Sequence, residues 1–268
     1  MRDSVLILGD YPQTLAAVRS LARGGYRVIV GRGPRPSVAE RSRYCSEVWQ
    51  CPDLEGATFG EQLSSLIAQR DDIRCILPVG EPNIAQLHDV APRLPRAVPV
   101  ASVAAEHFAA CVDKMATNAW AKQAGIDVPP SQVVFAYDEL VAATQTLGFP
   151  VIVKSLRTER RVLDRKAFIV RDHEEFAQHF TAWPDGLEQL LVQRYVEGNL
   201  LSCDFVAQAG KIVAYTQTEN SRTDMPDDTG FGVEFRSKAA DPDLFNALQS
   251  FVAIRGYSGP GLMQCMRC

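Results

Sequence analysis

The sequence predicts an α/β protein in two parts: a parallel-sheet domain first, then a domain of mixed and antiparallel sheets. Three observations carry this. The 268 residues suffice for one large or two moderate domains. Over the first hundred residues, short apolar runs alternate with stretches of helical spacing, the signature of a parallel sheet with right-handed crossovers. Past residue 100 the strands instead cluster, with a glycine turn and a hairpin within 190–214.

Taken in order, Val5–Leu8 is a continuous apolar run and reads as a buried strand. Pro12 suits the first position of a helix, and Leu15, Val18, Leu21 and Ala22 share one helical face. Gly24-Gly25 stops that helix, and Arg27–Val30 reads as the next strand. Glu47–Cys51 is a short third strand. Phe59, Leu63, Leu66 and Ile67 mark a helix and Arg74–Val79 a strand. Ile84, Leu87 and Val90 mark another helix, before a strand at Ala97–Val100. The turn after the first strand, "LGDYPQT", lacks the G-x-G-x-x-G fingerprint, so this sheet shows no dinucleotide site and a nicotinamide oxidoreductase is disfavoured. Ligands of such sheets gather at the carboxyl ends of strands, so "PVGEPN" (78–83) is either a crevice wall or a plain turn into a helix.

In the second part, Asp113 is placed to cap a helix that stops at Gly125 and is followed by Pro129-Pro130. A strand at Gln132–Ala136 follows, then a helix at Asp138–Leu147 and strands at Val151–Lys154 and Lys166–Val170. A helix at Asp172–Trp183 precedes strands at Leu190–Val196, Ser202–Ala207 and Lys211–Gln217. Residues 219–230 read as a polar loop, Asp243–Ile254 as a helix and Gly261–Met266 as a last strand.

Composition narrows the function classes. A net charge of −4 argues against bulk electrostatic binding to nucleic acid. No apolar run reaches the roughly 18 residues of a membrane helix. The start, MRDSVLILGD, leads straight into a strand, so a cytoplasmic protein is expected. The seven cysteines (45, 51, 75, 111, 203, 265 and 268) are odd in number and scattered, so reduced thiols are expected. Cys265 and Cys268 form a C-x-x-C with no second pair to complete a zinc site. None of His88, His107, His173 or His179 has a partner spacing that points to metal or base chemistry.

The sharpest local feature is "GFPVIVKS", where Val151, Ile152 and Val153 run into Lys154. A buried lysine costs several kcal/mol unless its charge meets a partner. A strand-end lysine reaches either water or an anion such as a phosphate. Three pieces stand in fixed order: Asp113-Lys114 opening a helix that ends in Gly125 and Pro129; the Lys154 strand end; and "LLVQRYVEGNLLSCDFVAQAGKIVA" (190–214). This order resembles the ATP-grasp superfamily, and within it the branch of the carbamoyl-phosphate synthase large chain and biotin carboxylase. The resemblance covers essentially the whole chain. It implies a Rossmann-like pre-domain over 1–110, then an ATP-grasp domain over 111–268 whose small lobe spans about 130–195.

The resemblance also implies the site. Lys114 and Lys154 stand at the family's phosphate-binding positions. Gln193, Arg194 and Val196 lie in the hinge whose backbone reads the adenine edge. Glu197 is offered as a substitute for the ribose-binding glutamate, because Asn199, Leu200 and Leu201 follow Gly198. Gln264 falls where the first magnesium ligand lies, and no Glu-x-Asn follows it, so the domain is expected to be C-terminally incomplete in these 268 residues. The loop after Lys154, "SLRTERRVLDRK", has no glycine. Arg157, Arg160, Arg161, Arg165 and Lys166 either contact phosphate with their side chains or form a mobile charged loop. The implied cofactors are ATP and Mg2+, and the implied partners are small-molecule carboxylate and amine substrates, with a homodimer left open. The implied activity is carboxylate–amine ligation through an acyl phosphate. A non-catalytic nucleotide-binding or regulatory module is the alternative.

Overall fold

The computed structural model describes residues 3–34, 36–50, 56–156, 160–227 and 229–267. The chain divides into two compact units, Met1–Ala105 and Glu106–Cys268.

In the first unit, β1 (Ser4–Leu8), β2 (Arg27–Arg32), β3 (Glu47–Gln50) and β4 (Ile73–Pro78) alternate with α1 (Pro12–Arg23), α2 (Phe59–Gln69) and α3 (Glu81–Val90). The strands form one sheet in the order β3-β2-β1-β4, with every pairing parallel. The apolar run of β1 explains its central place, since helices cover both faces of such a sheet. Leu6 and Leu8 pack with Ile29, Phe59, Leu63 and Leu87 on one face, while Val5 and Ile7 pack with Val18, Val28 and Val30 on the other.

The expected third strand stops at Gln50, and its last residue, Cys51, lies outside the described residues. The expected strand at Ala97–Val100 is not one. Pro99 has no N–H, so the segment makes a single parallel bridge, Ile76 to Val100, with the Pro99 carbonyl accepting from Ile76 N–H at 2.9 Å. The "PVGEPN" stretch turns at Gly80 (φ +91°) into α3, and Asn83 donates its side-chain amide to the Val79 carbonyl at 2.7 Å. Gly9 is required opposite this turn. Its φ is +123°, and a Cβ there would stand 2.3 Å from the Val79 carbonyl oxygen. Gly9→Ala is therefore expected to cost about 3 kcal/mol, read as a fall in the urea midpoint at unchanged slope.

The second unit opens with α4 (Ala105–Val112) and α5 (Lys114–Gln123). The Asp113 carboxylate accepts from the N–H groups of Met115 (2.8 Å) and Ala116 (2.9 Å), as the sequence led one to expect of a cap. Then come β5 (Ser131–Val134), α6 (Tyr137–Leu147), β6 (Val151–Ser155), β7 (Ala167–Val170), α7 (His173–His179) and β8 (Leu190–Arg194). Their strands pair antiparallel in the order β5-β8-β6-β7. Leu140, Ala143, Leu147, Val151, Val153, Phe168, Phe176 and Val192 form the core on one face. Helix α7 ends at His179, four residues before the expected Trp183. Beyond it the chain turns into a segment holding Pro184.

A second antiparallel sheet, β11-β10-β9-β12, is built from β9 (Asn199–Gln208), β10 (Lys211–Thr223), β11 (Gly232–Lys238) and β12 (Gly259–Arg267). Helix α8 (Pro242–Ile254) packs against this sheet, with Phe245 edge-on to Tyr215 of β10, 5.2 Å between centroids. The helix also meets α5, where Trp120 stacks on Phe251 at 4.3 Å and donates its indole N–H to the Phe251 carbonyl. The polar stretch expected to be loop from 219 is strand to Thr223, because β11 supplies its backbone partners. No helix among the described residues is long and apolar enough to cross a membrane. The described cysteines, 45, 75, 111, 203 and 265, are free thiols; Cys51 and Cys268 lie outside the described residues.

Candidate functional site

The alternation of β6 decides where Lys154 goes. Val151 and Val153 turn into the core against α6, so Ile152 and Lys154 face the other side of the sheet. Lys154 is only partly exposed there. Its Nζ donates to Gln193 Oε1 on the neighbouring β8, at 3.0 Å. Lys114, in the first turn of α5, reaches the same place from a different element: its Nζ donates to the Leu156 carbonyl at 2.7 Å, two residues beyond Lys154. Lys166, just before β7, completes the group. Its Nζ stands 5.1 Å from the centre of the Phe231 ring and 3.5 Å from the Gly230 carbonyl.

The electrostatics follow from three ammonium groups near one another. Burial is the main cause that pushes Lys154 down to about 8, and the charges of Lys114 and Lys166 add to it. Among the described residues, no carboxylate offsets that depression. Lys166 is also pushed down, by burial, with Asp224 acting in the opposite sense. A desolvated cluster of like charges is poor local design for a fold and a good receptor for a polyanion.

The remaining candidate residues fall around this cluster to different degrees. Gln193 was expected in a backbone hinge, yet its side chain is what holds Lys154. Arg194 is exposed, and its guanidinium donates to the Leu147 carbonyl at 2.7 Å. The N–H groups of Arg194 and Tyr195 go to the carbonyls of Pro130 (2.9 Å) and Pro150 (3.0 Å). Strand β8 ends at Arg194, so Val196 lies beyond the sheet, half-buried, and among the described residues its N–H and that of Glu197 meet no backbone carbonyl. Those two amides are available to a ligand edge. Glu197 is exposed, directly before Gly198. Gln264 lies on the exposed face of β12, paired with Ser202, and donates its side-chain amide to Ser202 Oγ at 3.3 Å. Among the described residues, no three His, Cys, Asp or Glu side chains gather as a metal site. Arg236 sits exposed on β11, 3.5 Å from Glu234.

The arginine-rich loop shows an arrangement that spacing along the chain does not reveal. Arg165 is paired with Asp227 and lies near Thr229 Oγ1 at 3.4 Å, while Arg161 stands over Phe231 at 5.6 Å. Thus residues 160–166 of one sheet's edge are tied to 224–231 of the other's. Arg157 of the same loop lies outside the described residues. Burial alone would raise the Asp227 carboxyl, but hydrogen bonds from Thr229 and Arg165 outweigh it and hold it below the usual range. Asp227→Asn removes one charge-assisted bond of about 1.5 kcal/mol, so amides of 160–166 are expected to exchange with deuterium roughly tenfold faster. The same tie is lost as pH falls through the lowered carboxylate value, because the pairing stabilises only the ionised form.

No protein-family model and no curated protein sequence matches this chain. Solved structures do. Biotin carboxylase from Campylobacter jejuni, as its complex with β-γ-ATP, matches over 98% of this chain at a TM-score of 0.72 and 16% identity. L-amino acid ligase from Bacillus licheniformis matches over 99% at 0.73 and 13% identity. N5-carboxyaminoimidazole synthetase from Staphylococcus aureus, complexed with ADP, matches over 98% at 0.69 and 15% identity. The chain spans 62%, 64% and 66% of those three proteins respectively. All three are ATP-grasp enzymes, and the likeness extends over both the parallel sheet and the two antiparallel sheets of this chain. The chain has the ATP-grasp fold.

Proposed function

We propose that the chain binds MgATP as substrate, with Lys114, Lys154 and Lys166 around the phosphates, and serves an ATP-dependent carboxylate–amine ligase. Residues 1–110 act as the pre-domain and 111–268 as the ATP-grasp domain, with its small lobe at about 130–195. The observation that carries this reading is the convergence of Lys114 and Lys154, from α5 and β6, on the loop after β6. Fixed cations in a partly dry site stabilise the charge that spreads over a transferring phosphoryl group. The open amides of Val196 and Glu197 suit the adenine edge, and the Glu197 carboxylate suits the ribose hydroxyls.

In the reaction proposed, a carboxylate oxygen attacks the γ-phosphorus and ADP leaves. An amine then attacks the acyl carbon and inorganic phosphate leaves. Lys154 and Lys114 neutralise the phosphoryl oxygens in the first step, and Gln193 fixes the Lys154 side chain on its strand. The described residues supply Gln264 as one neutral oxygen donor for magnesium, which suits a metal that arrives on the nucleotide's own phosphates.

The experiment is ADP release from MgATP in the presence of pooled carboxylates and amines. A magnesium-dependent rate that requires one carboxylate supports the ligase. ATP binding that is indifferent to magnesium, with no ADP formed from any pool, supports the nucleotide-binding module instead.

A further inference from the structure

Four arginines of the first unit line one surface and, among the described residues, pair with no carboxylate. Arg19 and Arg23 lie one turn apart on the exposed face of α1, and Arg41 and Arg43 come from the turn that precedes β3. With Ser42 and Tyr44 they line an open depression of about 500 Å³. Tyr44 forms its floor: the ring packs on the core of Val5, Ile7, Val18, Val28 and Val30. The guanidinium carbons of Arg23 and Arg43 stand 5.6 and 5.0 Å from its centre, and Arg43 donates to the phenol oxygen at 3.1 Å. Two cations on one ring repel each other unless an anion lies between them.

The nearby acids are committed elsewhere. Glu40 faces Arg32 at 3.4 Å, and Glu47 holds Arg27 and Arg70 at 2.8 and 2.7 Å. Among the described residues, none of the four arginines forms an ion pair. The hydrogen bonds from Arg43 and then Arg23 lower the Tyr44 phenol below its ordinary range. The cluster also lies at the amino edge of the parallel sheet, away from the carboxyl edge where ligands of such sheets gather. Arginine's planar fork matches phosphate oxygens two at a time.

We propose that this cradle of Arg19, Arg23, Arg41 and Arg43 is a binding site for a small diphosphate-bearing molecule. Two linked phosphoryl groups together carry roughly −2 to −3 at neutral pH, and their oxygens offer several bidentate sites to the four guanidiniums. A long nucleic acid fits less well, because the chain as a whole carries −4.

Calorimetric titration with inorganic pyrophosphate tests the site. The probe is run on the full chain carrying Lys154→Met, which weakens the proposed nucleotide site, and on that chain with Arg23→Ala and Arg43→Ala added. The Lys154→Met chain is expected to bind pyrophosphate, at least tenfold more tightly than inorganic phosphate, and the two arginine changes are expected to weaken it at least tenfold. If they disturb the packing of Tyr44, seen as a shifted melting curve, Arg19→Gln with Arg41→Gln is expected to give the same loss. Unchanged pyrophosphate affinity in the arginine variants overturns the proposal. So does an arginine-dependent site that prefers a single-stranded oligonucleotide to pyrophosphate.

Discussion

Lys154→Met is expected to stabilise the nucleotide-free protein by about 2 kcal/mol at pH 7 and to weaken ATP binding at least tenfold. The stability half follows from the depressed ammonium. A drop from 10.5 to about 8 reports a charged form disfavoured by burial and by two neighbouring cations. At about 1.4 kcal/mol per pH unit the penalty is roughly 3 to 4 kcal/mol as an upper bound, and methionine keeps the stem's packing without the charge. The sign fixes the pH window. Between about pH 8 and 10.5 the unfolded chain holds the Lys154 proton and the folded chain does not, so this group's contribution to stability rises with pH there. Below pH 8 both forms are protonated and the full penalty is present. Urea unfolding should therefore show the variant's advantage at pH 7 and its near disappearance at pH 10. The affinity half follows because a charge-assisted hydrogen bond to a phosphate is worth roughly 1.5–3 kcal/mol. Gain of stability with loss of binding is what a site built for a ligand, rather than for the fold, should show.

Lys114→Ala is expected to lower ATP affinity by about 10- to 100-fold on the same energetic grounds. It also carries a signature that a merely structural lysine lacks. Removing its charge takes away one of the two cations that depress Lys154, so the Lys154 value should rise above 8 towards 10.5. The Leu156 carbonyl loses its donor at the same time. Lys114→Arg should restore part of the affinity. Direct titration of the lysine side chains by NMR reads the first effect, and calorimetry the second.

Much of this fold is legible in the sequence because it rests on burial patterns. The unbroken Val5–Leu8 run, the Val18 and Leu63 faces and the Asp113 cap each report a local rule that the packing obeys. The Ala97–Val100 segment misled because an apolar run says nothing of the missing N–H at Pro99. Strand β11 escaped because its short alternation, Val233 and Phe235, is exposed and covers no core; its place depends on β10. At the site, the strand-end position of Lys154 was readable from three β-branched residues before it. What it meets was not. The Gln193 partner lies 39 residues away across a sheet, and the Arg165–Asp227 tie joins residues 62 apart. Only strand register and loop placement bring such groups together.

The central claim is that Lys154 sits in a cation cluster awaiting a polyphosphate. Its most direct test is ATP binding by calorimetry at pH 8.5 in buffers of different ionisation heat. About three quarters of the Lys154 groups should be neutral there, so nucleotide binding should take up a fraction of a proton, and Lys154→Met should abolish the uptake. Binding heats that do not depend on the buffer, or an uptake unchanged in Lys154→Met, would contradict the account.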